Sequence, residues 1–129
     1  MILGLKMYDV FIEYDQYIRK KYNAEPGYIT MNMPKLLDAL NSVGVSNPII
    51  CSSINKLGFR MSGGKDIYEK HLKEKEFRSI AMQVLAAGAL RPKEAIEYLG
   101  KFPKIESVLF GASSKTHIQE TKELIYNFM

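Results

Sequence analysis

Gly111-Ala112-Ser113-Ser114-Lys115 stands between an apolar run, ESVLFG, and a helical segment, KTHIQETKELIYNF. A strand that ends in small residues at a helix start leaves backbone N–H groups free to face an anion. Gly111 admits close approach to the backbone, Ser113 and Ser114 add hydroxyl donors, and Lys115 adds positive charge. This spacing predicts a phosphate- or anion-binding loop. The plainer role for the same residues is a helix cap, in which Ser114 satisfies helix N–H groups and nothing else binds.

Other chemistry-bearing residues fall at the ends of apolar runs. Asn55-Lys56 follows NPIICSSI. A lysine there could act as a catalytic amine and form a Schiff base if desolvation lowered its pKa, an aldolase-like reading; it could equally point to water. Asn32, Asn55 and Gln83 sit where a ligand pocket would open, with Ser53 beside them. RMSGGKD, residues 60–66, could fold over a ligand and bring Arg60 and Lys65 to an anion, or serve only as a connector. Cys51 lies inside an apolar run and reads as an inert core residue. Met31, Met33, Met61 and Met82 read as fillers, with Met31, Met33 and Met82 making the strand ends apolar. His71 and His117 are far apart and without cysteine or paired histidine nearby, so no metal is expected.

The totals limit the classes of function. The 129 residues make one domain, and 47% apolar with 25% charged is the balance of a globular chain. The net charge of +4 is mild, and carboxylates interleave with the basic residues in IRKKYN, KHLKEKEFR and LRPKEA. A nucleic-acid stripe would be more concentrated, so no nucleic-acid partner is expected. A single cysteine excludes an internal disulfide framework and fits a reducing, cytoplasmic location. No run approaches the roughly 18 apolar residues of a membrane span. MILGLKMYDVF lacks the basic flank and cleavage site of a signal peptide.

These residues are positioned by a regular grammar. A leading helix is expected over about 8–23, where Val10, Tyr14, Tyr17 and Ile18 recur at helical spacing. Four strand–helix units follow, at about 27–44, 47–75, 78–102 and 106–128. Their strands are GYITM, NPIICSSI, RSIAMQVLA and ESVLFG, near-continuously apolar rather than alternating. That is the pattern of parallel strands in an α/β protein. Two architectures accept the order: half of a TIM-type (β/α)8 barrel, or an open, doubly wound parallel sheet.

The four units resemble, in order, the C-terminal half of an aldo-keto reductase barrel. YITMNMPKLLDAL is similar to that family's fifth strand and helix, and NPIICSSIN to its sixth strand. SIAMQVLAAGAL resembles the seventh, Ala-Tyr-Ser-Pro-Leu-Ala-Gly-Gly-Leu, and SVLFGASSKTHIQETKEL the eighth, Gly-Ala-Ser-Ser-Pro-Glu-His-Leu-Glu-Glu-Asn. The resemblance covers residues 27–126 and implies NADP as the cofactor, with Asn32 at an amide-binding asparagine. It also implies departures. The family's catalytic Asp, Tyr, Lys and His lie on four strands outside the resemblance. Its nicotinamide-binding Gln falls at Cys51, its stacking Tyr at Met82, and the following Ser and Pro at Gln83 and Val84. Its adenosine-gripping Glu-Asn pair is Glu120-Thr121. The chain is therefore not expected to run the reductase reaction alone.

A half barrel has unpaired strand edges and an inner face without a partner layer. Each Val, Ile or Leu left wet forgoes roughly 1.5–3 kcal/mol. The expectation is a self-associating half barrel, a homodimer closing eight strands, or one completed by a missing N-terminal half.

Overall fold

The computed structural model of the chain describes residues 5–129. The elements alternate as α1 (Asp9–Tyr22), β1 (Gly27–Thr30), α2 (Met33–Ser42), β2 (Ile49–Ser53), α3 (Lys65–Glu74), β3 (Arg78–Met82), α4 (Pro92–Leu99), β4 (Ile105–Val108) and α5 (Lys115–Phe128). All four strands are parallel and form one open sheet in the order β1-β2-β3-β4. That order has no reversal, so each crossover advances in the same direction. Right-handed crossovers then place α2, α3 and α4 on one face of the sheet.

Local chemistry explains the helices. Asn32 caps α2, its Oδ1 accepting from the Lys35 N–H at 3.2 Å, and Pro34 occupies the first turn. Met33, Leu36, Leu37 and Leu40 then recur at helical spacing, and all are buried. Ser114 caps α5 in the same manner, accepting from the His117 N–H at 3.2 Å. Helix α1 ends at Asn23, whose φ of 49° is left-handed.

The two faces of the sheet differ. Tyr28, Ile50, Ser79 and Ile105 share a register, as do Thr30, Ser52, Ala81 and Val108. These side chains point to the helices, where Ile50, Ser52, Ser79 and Ala81 are completely buried. Leu37, Leu40, Tyr68, Leu72, Ile96 and Leu99 form the opposing layer. The Tyr68 hydroxyl joins strand end to helix, accepting from the Met33 N–H at 3.2 Å and donating to the Met31 carbonyl at 3.3 Å.

Ile29, Cys51, Ile80 and Ser107 form a row on the opposite face. No helix covers it among the described residues: Ile29 is 72% exposed, Leu109 beyond β4 is 55% exposed, and Cys51, Ile80 and Met82 are half-buried. Arg78 spans the N-terminal ends of the strands on this side. Its guanidinium donates to Glu25 at 2.8 Å and to Glu106 at 3.0 Å.

Helices α1 and α5 lie at the two edges of the assembly. Phe11 of α1 packs edge-on against Tyr28 with ring centroids 6.1 Å apart, and the Tyr14 hydroxyl donates to the Gly27 carbonyl at 3.0 Å. At the other end α5 packs on α4. Gly100 permits it: a Cβ there would lie 2.1 Å from the Phe128 carbonyl oxygen.

Two expected strands end early. The third stops at Met82 rather than running to residue 86, because Gln83 turns left-handed with a φ of 54° and Ala86 and Ala87 follow at 50° and 56°. The fourth spans Ile105–Val108 rather than 106–111, although the Leu109 N–H still donates to the Ala81 carbonyl at 2.8 Å.

Candidate functional site

The C-terminal ends of β2, β3 and β4 deliver three loops to one place. Between them lies an open cleft of about 500 Å³, walled by Phe59, Val84, Leu85, Leu109 and Phe110. Its polar lining comes from Arg60, Gln83 and the backbone at Gly111. Among the described residues Arg60 is the one charged residue in that lining, and its guanidinium carbon lies 5.3 Å from the centre of the Phe59 ring. An apolar wall with few convergent polar groups is the composition of a small-molecule site.

The backbone of this region departs from ordinary geometry. Arg60, Gln83, Ala86 and Ala87 all have positive φ without being glycine. Each such residue costs on the order of 1–3 kcal/mol and persists only where the surroundings hold it. Asn55 does much of the holding. Fully buried, it donates from Nδ2 to the Phe59 carbonyl at 2.9 Å and to the Gln83 carbonyl at 3.3 Å, while its Oδ1 accepts from the Phe59 N–H at 2.8 Å. The Ser53 hydroxyl donates to Gln83 Oε1. One amide thus fastens the Arg60 loop to the Gln83 turn.

The expected site residues separate into groups. Gln83 and Gly111 line the cleft, and Arg60 joins them. Asn55 lies under the cleft with its amide committed to backbone. Asn32 caps α2 at the far end of the sheet and lines a different surface groove. Ala112, Ser113, Ser114 and Lys115 are exposed, with Ser114 engaged as the cap of α5 and Lys115 beside Glu120 and Glu123 rather than Arg60. Lys65 turns away, donating to the Lys56 carbonyl at 3.1 Å. The apolar walls Phe59, Leu109 and Phe110 carried no signal in sequence beyond their place at strand ends.

Lys56 stands outside the cleft, half-exposed, with Nζ 2.5 Å from the Glu94 carboxylate. A Schiff-base lysine requires a desolvated, neutral amine; this one is solvated and paired. Cys51 lies on the uncovered face, and partial burial pushes its thiol pKa up, which disfavours the thiolate. Among the described residues no cluster of His, Cys, Asp and Glu could hold a metal ion, and no helix is long and apolar enough to cross a membrane. His71 is instead buried between α3 and α2, its ring nitrogens 2.9 Å from the Ile67 carbonyl and 3.0 Å from Asp38 Oδ1.

Comparison with protein-family models, with curated proteins and with solved structures finds no match to this chain. The likeness to the aldo-keto reductases rests on the quoted residues alone. The structure establishes an α/β fold with four parallel strands in one sheet.

Proposed function

We propose that the chain is one half of a βα barrel, completed by a second layer, and that its strand-end cleft binds a small organic anion. The half-barrel reading is supported by a sheet wound in one direction, helices on one face, and apolar residues left wet on the other. Parallel sheets are ordinarily covered on both faces.

The anion reading is carried by one observation: among the described residues Arg60 is the lone charge in an apolar cleft whose other polar groups are an amide and loop backbone. That lining favours a carboxylate or phosphate ester with an apolar body. The cleft accounts for Gly111 but leaves Ser113, Ser114 and Lys115 with the structural work of opening α5. No catalytic set converges there, and the proposed role is binding.

The test is calorimetric titration of the full chain with inorganic phosphate, glycerol phosphate and phenyl phosphate. Phenyl phosphate should bind best, and Arg60→Ala should weaken it about 10- to 150-fold, the loss of one charge-assisted contact of roughly 1.5–3 kcal/mol. Lys115→Ala should leave it unchanged. Equal binding by wild type and Arg60→Ala would remove the cleft from consideration.

A further inference from the structure

Charge and helix count bear on what covers the open face. The strands contain two charged residues, Arg78 and Glu106, and these pair with one another. Glu25, two residues before β1, adds a second carboxylate to the same guanidinium. The cluster therefore carries a net negative charge at the N-terminal rim of a face whose strand residues are otherwise uncharged.

A second copy would bring an identical cluster to the same rim. Four carboxylates would then share two guanidinium groups, and closure would remove water that now screens them. A layer with a basic side chain at this level would neutralise the cluster instead.

The helices give an independent reason. In a closed eight-stranded barrel each strand is followed by one helix, so the outer ring has eight places. The described residues form five helices and four strands, with α1 packed on the helix side of β1 and α5 beside α4. Joining two copies would set β4 of one beside β1 of the other. The single place over that seam would be claimed by α5 of the first copy and α1 of the second. A complement of four strands and three helices fills the ring with no such conflict.

Resting on the half-barrel reading above, we infer that the occupant of the open face is a parallel βαβαβαβ layer of different sequence and not a second copy. Its inner face is apolar, and it presents Arg or Lys at the N-terminal ends of its strands, against Glu25 and Glu106.

Two experiments on the full chain test this. Sedimentation equilibrium at micromolar concentrations should give a monomer, and that monomer should bind an apolar fluorescent dye through a surface that Ile29→Lys removes. Selection should then be made from a display library of four-stranded βαβαβαβ half barrels, identical apart from Arg or Glu at the rim position of each strand. Arg-bearing layers should be enriched about tenfold over Glu-bearing ones. Glu106→Lys and, separately, Glu25→Lys should abolish the preference; both positions are exposed, and circular dichroism checks that each variant folds.

Equal enrichment, enrichment of Glu-bearing layers, or no enrichment overturns the inference. A stable homodimer that Ile29→Lys dissociates also overturns it, while leaving the half-barrel reading intact. A monomer whose dye binding is indifferent to Ile29→Lys shows that the half-barrel reading itself has failed.

Discussion

Ile29 and Ile50 lie on neighbouring strands, one register step apart, and have opposite surroundings. Ile50 is completely buried beneath the helices, whereas Ile29 is 72% exposed on the other side of the same sheet. Similar side chains contribute unequally because, among the described residues, the helix layer lies on one side only. The covered face holds the fold together. The uncovered face, with Arg78 at one end and the cleft loops at the other, is where assembly and binding are proposed.

The sharpest way to break this contrast is substitution on each face. Leu37→Ala, at a fully buried helix position, should cost about 2–5 kcal/mol in urea unfolding. Ile29→Ala should change the same measurement by less than about 0.5 kcal/mol in the isolated chain. Comparable losses at the two positions would mean that something covers Ile29 after all.

A smaller effect is expected where the faces meet at the cleft. Asn55→Ala removes three hydrogen bonds to the backbone of two loops and leaves buried partners unsatisfied, a loss of about 1–3 kcal/mol. It should also weaken phenyl phosphate binding, although Asn55 does not line the cleft. Unchanged affinity in a folded Asn55→Ala variant would show that the loops keep their shape without it.

Alkali probes the covered side. Burial, followed by the nearby Asp15 charge, raises the Tyr28 phenol from 10.0 to about 12. Between those values the unfolded phenol has released its proton while the folded one retains it. Stability present below pH 10 is therefore lost as pH rises toward about 12. Tyr28→Phe should flatten that decline without cost near neutrality, since the buried hydroxyl has no hydrogen-bond partner among the described residues. An identical alkaline profile would place the loss in Tyr68 and Tyr98, whose phenols burial also raises.

The smallest effect belongs to the surface. Glu94→Gln removes the ion pair of Lys56 and should alter stability by no more than about 1 kcal/mol, because both groups are half-exposed. Borohydride with small carbonyl compounds should leave the mass of Lys56 unchanged; a trapped adduct would revive the aldolase-like reading.

Element order was legible because helical periodicity is local: Met33, Leu36, Leu37 and Leu40 declare α2 without reference to the rest of the chain. The strand ends were not. RSIAMQVLA is apolar throughout, and the left-handed turn at Gln83 depends on Asn55, which reaches it from 28 positions away in sequence. The asymmetry of the sheet was hidden for a related reason. A run such as Ile49-Ile50-Cys51 implies that both faces are covered, whereas among the described residues only one of them is. Arg60, Gln83 and Gly111 were each legible by residue type and position, but their convergence on one cleft was not. Lys115 was included with Gly111 because they are near in sequence; in space the α5 cap separates their roles.

Cys51 supplies the most direct measurement, because the chain's single thiol lies in the row of Ile29 and Ile80. Its alkylation by a neutral apolar reagent should be followed in the folded chain over a range of concentrations and compared with the urea-unfolded chain. An uncovered face predicts a folded rate within about tenfold of the unfolded rate, lowered by the raised thiol pKa and independent of concentration. Protection of about a hundredfold or more, at every concentration or growing with it, would show that the face is covered by this chain itself and would contradict the account.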